Sequence, residues 1–196
     1  MENKHPIATI TMANGAKIVV ELYPEEAPNT VNSFIWLAKQ KVFDNYPIRR
    51  VVPNWVLDVS YTAFDNDICK YLIANESQSQ GFPNHIKVEP GVIAMGGYAP
   101  DEIAGGEWYF PYTSENLDWR YPAFGKVLSG WEEVERIEKV PLRPVPTRQK
   151  LEINEPITPE VIESVVVETF GVEYPEPIRY TDRKLPFNWF LDQETE

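Results

Sequence analysis

Two arginines interrupt a stretch that otherwise reads as buried strand. Residues 43–57 run Phe-Asp-Asn-Tyr-Pro-Ile-Arg-Arg-Val-Val-Pro-Asn-Trp-Val-Leu. Val51, Val52, Trp55, Val56 and Leu57 are strand formers, and Pro53-Asn54 breaks the run with a turn. Neighbouring strand residues point to opposite faces, so Arg49 is expected on the solvated side and Arg50 on the other. A guanidinium fixed on a strand beside bulky apolar side chains is a permanent cation above an apolar floor, with N–H donors for a polar visitor. On general burial statistics alone, Arg50 still reads as a surface or ion-paired arginine. Trp55, Trp108 and Tyr109 likewise read as core residues before they read as ligand contacts.

Other chemistries find little support. The single cysteine, Cys69, forms no intrachain disulfide and stands in no nucleophile signature. It reads as an inert, partly buried thiol. His5 and His85 stand apart, with no His or Cys partner at ligand spacing, so no metal site is expected. The 196 residues carry a net charge of −12, which should repel nucleic-acid phosphates and anionic membranes. Residues 1–6 lack a basic region followed by an apolar stretch, and no apolar run reaches membrane-spanning length. The expectation is a soluble, cytoplasmic protein that binds neither nucleic acid nor membrane.

The elements that must hold Arg50 are mostly strands. Residues 7–12 and 17–23 are β-rich, and Asn14-Gly15 between them is a strong hairpin signal. Val31, Phe34, Ile35 and Ala38 follow with helical spacing, with Pro28 near the start. Residues 61–87 read as an irregular excursion with one short helix. Gly91–Met95, Glu107–Phe110 and Ala123–Val127 read as short strands. Ser129 and Glu132 have capping-box spacing, and Trp131, Val134 and Ile137 give a second helix its inner face. Residues 141–146 hold three prolines and are expected to be an extended connection without regular structure. Val161–Phe170 reads as a last strong strand. Seven or eight short strands and two helices suggest a closed antiparallel barrel.

This order of elements is familiar. Residues 19–34, Val-Val-Glu-Leu-Tyr-Pro-Glu-Glu-Ala-Pro-Asn-Thr-Val-Asn-Ser-Phe, resemble the first strand and helix of cyclophilins, the peptidyl-prolyl cis–trans isomerases. Arg50-Val-Val-Pro53 resembles their arginine-bearing strand. Pro90-Gly-Val-Ile-Ala-Met95 resembles the strand before their substrate groove, and Phe124-Gly-Lys-Val127 with Gly130 and a helix resembles their late signature. The match is collinear over roughly residues 7–170. It implies a mainly β fold, a closed eight-stranded antiparallel barrel capped by two α-helices, with a proline-peptide groove on its outer face.

Carried over by position, the resemblance implies that Arg50 is the catalytic arginine. Trp55 stands where the family has phenylalanine, Val56 where it has methionine and Asp58 at its first groove glutamine. Gly96 and Gly97 fall on the alanine–asparagine pair whose backbone holds the peptide. Glu107 falls on the second glutamine and Tyr109 on the phenylalanine flooring the proline pocket; a one-residue shift would put Trp108 there instead. Leu117 matches a pocket leucine, Tyr121 replaces a histidine and Asn116 a tryptophan. Val59-Ser60-Tyr61 replaces a glycine-rich stretch.

The implied reaction is rotation about an X–Pro bond, whose barrier is about 18–20 kcal/mol because the C–N bond has partial double-bond character. No bond breaks, so neither cofactor, metal nor nucleophile is needed. As the amide twists, the prolyl nitrogen regains its lone pair and accepts a hydrogen bond from a fixed guanidinium. A carboxylate at Asp58 or Glu107 clamped on Arg50 would compete for those donors, so weak activity is expected, assisting protein folding on proline-containing peptides or proteins. The alternative is a catalytically impaired barrel that binds such segments as a chaperone or scaffold. Residues 1–171 are expected to form the barrel domain and 172–196 an acidic tail. With Tyr174, Tyr180, Phe187, Trp189 and Phe190, the tail is too aromatic for pure disorder. It should dock on its own domain or support self-association.

Overall fold

Alternating apolar residues build the first hairpin. In β1 (Ile7–Met12) and β2 (Lys17–Leu22), Ala8, Ile10, Met12, Ile18, Val20 and Leu22 are buried, while their neighbours face outward. Gly15, at φ 89°, supplies the turn's left-handed residue. The structure is a computed structural model and describes residues 4–146 and 151–186. The chain continues through α1 (Pro28–Lys39), β3 (Tyr46–Pro47), β4 (Arg50–Val52), β5 (Val56–Asp58), β6 (Leu72–Ala74), β7 (Val92–Met95) and β8 (Glu102–Ala104). Then follow β9 (Trp108–Pro111), β10 (Ala123–Ser129), α2 (Trp131–Glu138), β11 (Leu142–Pro144), β12 (Asn154–Pro156) and β13 (Val161–Glu168).

Eleven of the strands form one antiparallel sheet in the order β11-β12-β4-β5-β9-β7-β10-β2-β1-β13-β3; β6 and β8 pair separately. The fold is mainly β with two α-helices, but the expected closed barrel of eight strands is not what forms: the sheet is open and has more strands. The break lies between β3 and β4, which only Ile48 and Arg49 separate. β3 pairs with β13, whereas β4 pairs with β5 and β12. The Ile48 N–H still donates to the Glu160 carbonyl at 2.8 Å, beside the β13 partner of Pro47, so the chain changes partners only at Arg50.

Three local expectations are corrected. The proline-rich stretch is not wholly irregular: Leu142–Pro144 pairs with Asn154–Pro156 at the sheet's edge, where a missing N–H is tolerated. Ser129 is not a helix cap. It ends β10, and Gly130 at φ 87° begins α2; a Cβ there would lie 2.1 Å from the Lys17 carbonyl oxygen. Residues 61–87 contain three short 3₁₀ turns and β6 rather than one helix.

The α1 N-terminus shows how distant parts are tied. Ala27 cannot cap it, and the buried Glu76 carboxylate does so instead. It accepts from the Asn29 N–H at 3.0 Å and from the Thr30 N–H and hydroxyl, each at 2.8 Å. Val31, Phe34, Ile35 and Leu37 of α1 and Val134 and Ile137 of α2 enter one core with the inward strand residues. Each such fully buried side chain stabilises by about 1.5–3 kcal/mol.

The described part of the tail docks on its own domain. Ile178 and Asn29 exchange hydrogen bonds, and the Tyr180 N–H donates to the Leu72 carbonyl at 2.8 Å. The Arg179 guanidinium lies over the Trp36 and Tyr71 rings at 4.4 and 4.3 Å. Phe187, Trp189 and Phe190 lie outside the described residues.

Candidate functional site

The β4–β5 hairpin places the charges. Asn54, at φ 62°, turns the chain after Pro53. The register then sets Arg50 directly opposite Asp58, Val51 opposite Leu57 and Val52 opposite Val56. Val51 and Leu57 enter the main core, so Arg50, Val52, Val56 and Asp58 share the other face. The same alternation sorts β9. Trp108 and Phe110 are buried in the main core, with Trp108 meeting Phe34 and Phe43 edge-on, while Tyr109 lies on the site face opposite Ala94. Trp108 therefore belongs to the core and Tyr109 to the site face. Arg49 faces solvent and pairs with Glu155 at 3.0 Å.

On that face lies a hollow of about 270 Å³, the liquid volume of about nine waters. The ten residues expected to act on or bind substrate all line it, whereas Trp108 and Asn116 do not. Arg50, Asp58 and Glu107 are its charged wall, Trp55, Tyr109 and Tyr121 its aromatic wall, and Val56 and Leu117 its aliphatic part, with Gly96 and Gly97 along one side. Sequence reasoning missed Tyr61, Tyr98 and Leu151, which also line it. Each lies in a loop, where no alternation signals direction. A second hollow shares Gly97, Tyr98 and Tyr121 with the first.

The glycine pair is unequal. The Gly96 N–H donates to the Glu107 carbonyl at 2.6 Å, and its own carbonyl accepts from the Ala104 N–H. Gly97 has no backbone partner among the described residues. A Cβ on Gly97 would lie 2.7 Å from the Glu102 carbonyl oxygen, so only glycine fits there.

Arg50 is 7% exposed. Its Nε–H donates to the Glu152 carbonyl at 3.0 Å and its Nη1 to Asp58 Oδ2 at 2.7 Å. The remaining three N–H bonds of the fork have no acceptor among the described residues. The Trp55 and Tyr61 rings flank the guanidinium at 5.4 and 5.2 Å. Burial works against its charge, but Asp58 outweighs that and keeps it protonated. The fork is thus half engaged, with donors left on the hollow.

The carboxyls behave differently from surface acids. Burial and the facing Asp58 hold Glu107 well above the usual carboxylate range. Burial also raises Asp58, although Arg50 pulls it down. The Tyr98 hydroxyl donates to Glu107 Oε2 at 2.6 Å. The Tyr109 hydroxyl is buried without a partner among the described residues.

Comparison with known proteins matches this geometry to a family. The profile of the cyclophilin type peptidyl-prolyl cis-trans isomerase/CLD family matches residues 7–167. Peptidyl-prolyl cis-trans isomerase-like 2 of Cryptococcus neoformans is 31% identical over 144 residues, covering 70% of this chain and 24% of that protein. The chain thus spans about a quarter of that relative's length. Peptidyl-prolyl cis-trans isomerase B of Bacillus subtilis is 29% identical over 123 residues, covering 62% of this chain and 82% of that one. A cyclophilin type isomerase of Cryptosporidium parvum, crystallised in the presence of the dipeptide Ala-Pro, shares the fold. Its TM-score is 0.65 at 18% identity, over 83% of this chain and 98% of that one. The arginine-bearing strand, the hollow beside it and the profile across nearly all the strands agree: this chain belongs to the cyclophilin type peptidyl-prolyl cis-trans isomerase family.

Proposed function

We propose that this protein accelerates rotation about X–Pro bonds in peptides or proteins, with modest efficiency, and so assists folding. The observation that carries this is Arg50: a buried, permanently charged fork with three N–H bonds left at an open hollow whose other walls are aromatic and aliphatic. A proline ring would sit against Tyr109, Leu117 and Val56, where water that favours the planar amide is excluded. The carbonyl-side groups would meet Gly97. Arg50 would donate to the prolyl nitrogen as its conjugation is lost, an interaction stronger in the twisted state than in either planar one. Asp58 orients the fork and also takes up one donor, which limits the gain.

The test is a proline-tetrapeptide isomerisation assay at equal protein concentrations of wild type and Arg50→Ala. Acceleration by wild type that the variant loses supports the reading. Equal rates for the two remove Arg50 from the mechanism. A second reading has support from the 2.7 Å Arg50–Asp58 contact, which occupies part of the fork: a groove that binds proline-containing segments without turning them over. Saturable peptide binding with no acceleration would establish it.

A further inference from the structure

The charged wall holds two carboxyls, Asp58 and Glu107, against one guanidinium. Asp58 is 3% exposed. Its Oδ2 takes the Arg50 Nη1, yet its Oδ1 is buried with no hydrogen-bond partner among the described residues. A buried carboxylate oxygen left in that state costs about 1–3 kcal/mol or more. The nearest carboxyl on that face is Glu107: the β5–β9 register carries Asp58 toward Tyr109, and Glu107, two residues before it, lines the same hollow as a diagonal neighbour. One oxygen of Glu107, Oε2, already accepts from Tyr98, and the other lies toward Gly96. Two ionised carboxylates cannot face each other at such range, whereas a carboxylic acid beside a carboxylate satisfies the orphaned oxygen with one O–H donor.

We infer that Glu107 carries a proton at neutral pH and donates it in a hydrogen bond to Asp58 Oδ1, acting as a positioning residue that holds Asp58, and through it Arg50, in place. This rests on the reading of the hollow as a proline-peptide groove and deepens it. With that proton the Arg50–Asp58–Glu107 wall is electrically neutral, and an uncharged amide enters without meeting a surplus anion. Without it, a net negative charge sits in the hollow and a second carboxylate draws on the Arg50 fork. The groups facing Glu107 agree with this. Asp58 on β5 repels a second negative charge, while Arg50 on β4 and the Tyr98 hydroxyl favour one. Tyr109, on the strand β9 that follows Glu107, keeps its proton because burial pushes its hydroxyl well up, and the Tyr61 ring lies beside Arg50. Burial adds to the repulsion from Asp58.

The full chain tests this in two independent ways. Carboxyl carbon NMR of uniformly labelled protein, titrated from pH 3 to 10, should show one coupled pair losing its proton well above the ordinary carboxylate range. That transition should vanish in Glu107→Gln and in Asp58→Asn. Isomerisation measured over the same range should fall about tenfold per pH unit above the transition in wild type. Glu107→Gln, whose amide can donate to Asp58 without titrating, should show no such fall. Glu107→Leu, which leaves the oxygen orphaned, should lose at least tenfold at every pH. Ordinary titration of both carboxyls, or a fall with pH that persists in Glu107→Gln, overturns the inference. A titrating pair in a protein without isomerase activity at any pH would uphold the shared proton and overturn the catalytic reading instead.

Discussion

Two clusters in this molecule have the same composition, one arginine facing two carboxylates, and opposite behaviour. In the first, Arg136 on α2 donates twice to Glu133 at 2.8 Å and also to both oxygens of Glu160, and Asn14 joins Glu133 from the first hairpin. Its side chain is 41% exposed and its fork is nearly saturated. Hydrogen bonds from Arg136, followed by Asn14, hold Glu133 below the usual carboxylate range. In the second, Arg50 gives one N–H to Asp58 and one to a carbonyl, and both carboxyls, Asp58 and Glu107, are raised. Donor supply and geometry, not charge count, decide the difference. Where enough donors reach the anions, the cluster is a clasp. Where they do not, unspent donors and a retained proton remain for chemistry.

The largest effect that would separate the clusters is on the reaction. Arg50→Ala should lower kcat/KM on a proline peptide about a hundredfold, the usual cost of removing a preorganised donor, while Arg136→Ala leaves it within twofold. Equal losses would make Arg50 no more than another clasp. Stability comes next. Arg50→Ala strands a buried Asp58 and should cost about 3–5 kcal/mol in urea unfolding. Arg136→Ala breaks half-exposed pairs worth about 0.2–1 kcal/mol each. If Arg50→Ala does not fold, Arg50→Lys keeps the charge without the fork and should still lose most of the activity.

A smaller effect is the pH dependence of melting, which should have opposite sign for the two clusters. Glu107 and Asp58 are raised in the folded state, so the folded protein holds a proton that the unfolded chain has released. Stability from that source is present at acid pH and lost as pH rises through the folded transition. Glu133 is lowered, so its contribution is present above the unfolded value and lost as pH falls. Glu107→Gln should flatten the alkaline arm of a Tm–pH curve and Glu133→Gln the acid arm. The smallest effect concerns salt. At 1 M salt, where screening acts within about 3 Å, the stability deficit of Arg136→Ala should shrink. That of Arg50→Ala, at a 7%-exposed residue, should not.

How far the sequence discloses this arrangement depends on the range of the interaction. Period-two alternation places Arg50, Val56 and Asp58 on one face, because the register of a tight hairpin follows from its own residues. It also separates Trp108 from Tyr109 once the strand is placed. The helical spacing of Val31, Phe34, Ile35 and Ala38 identifies α1, but nothing near α1 announces that Glu76 will cap it. Tyr61, Tyr98 and Leu151 reach the hollow from loops directed by tertiary contacts. The meeting of Asp58 with Glu107 depends on β5 pairing with β9, a long-range contact that no local pattern encodes. The change of partners between β3 and β4, across two residues, likewise depends on distant strands: β13 for the one, β5 and β12 for the other.

The seated tail has a bearing on the single thiol. Arg179, stacked on Trp36 and Tyr71, lies close enough to Cys69 to act on its charge, and burial pushes the thiol up to about 12. Buried in the main core at 2% exposure, that sulfur is neither accessible nor nucleophilic. Cys69 is therefore a native reporter: the rate at which a thiol-specific label reaches it gauges how often the core packing around it opens, with no foreign probe installed.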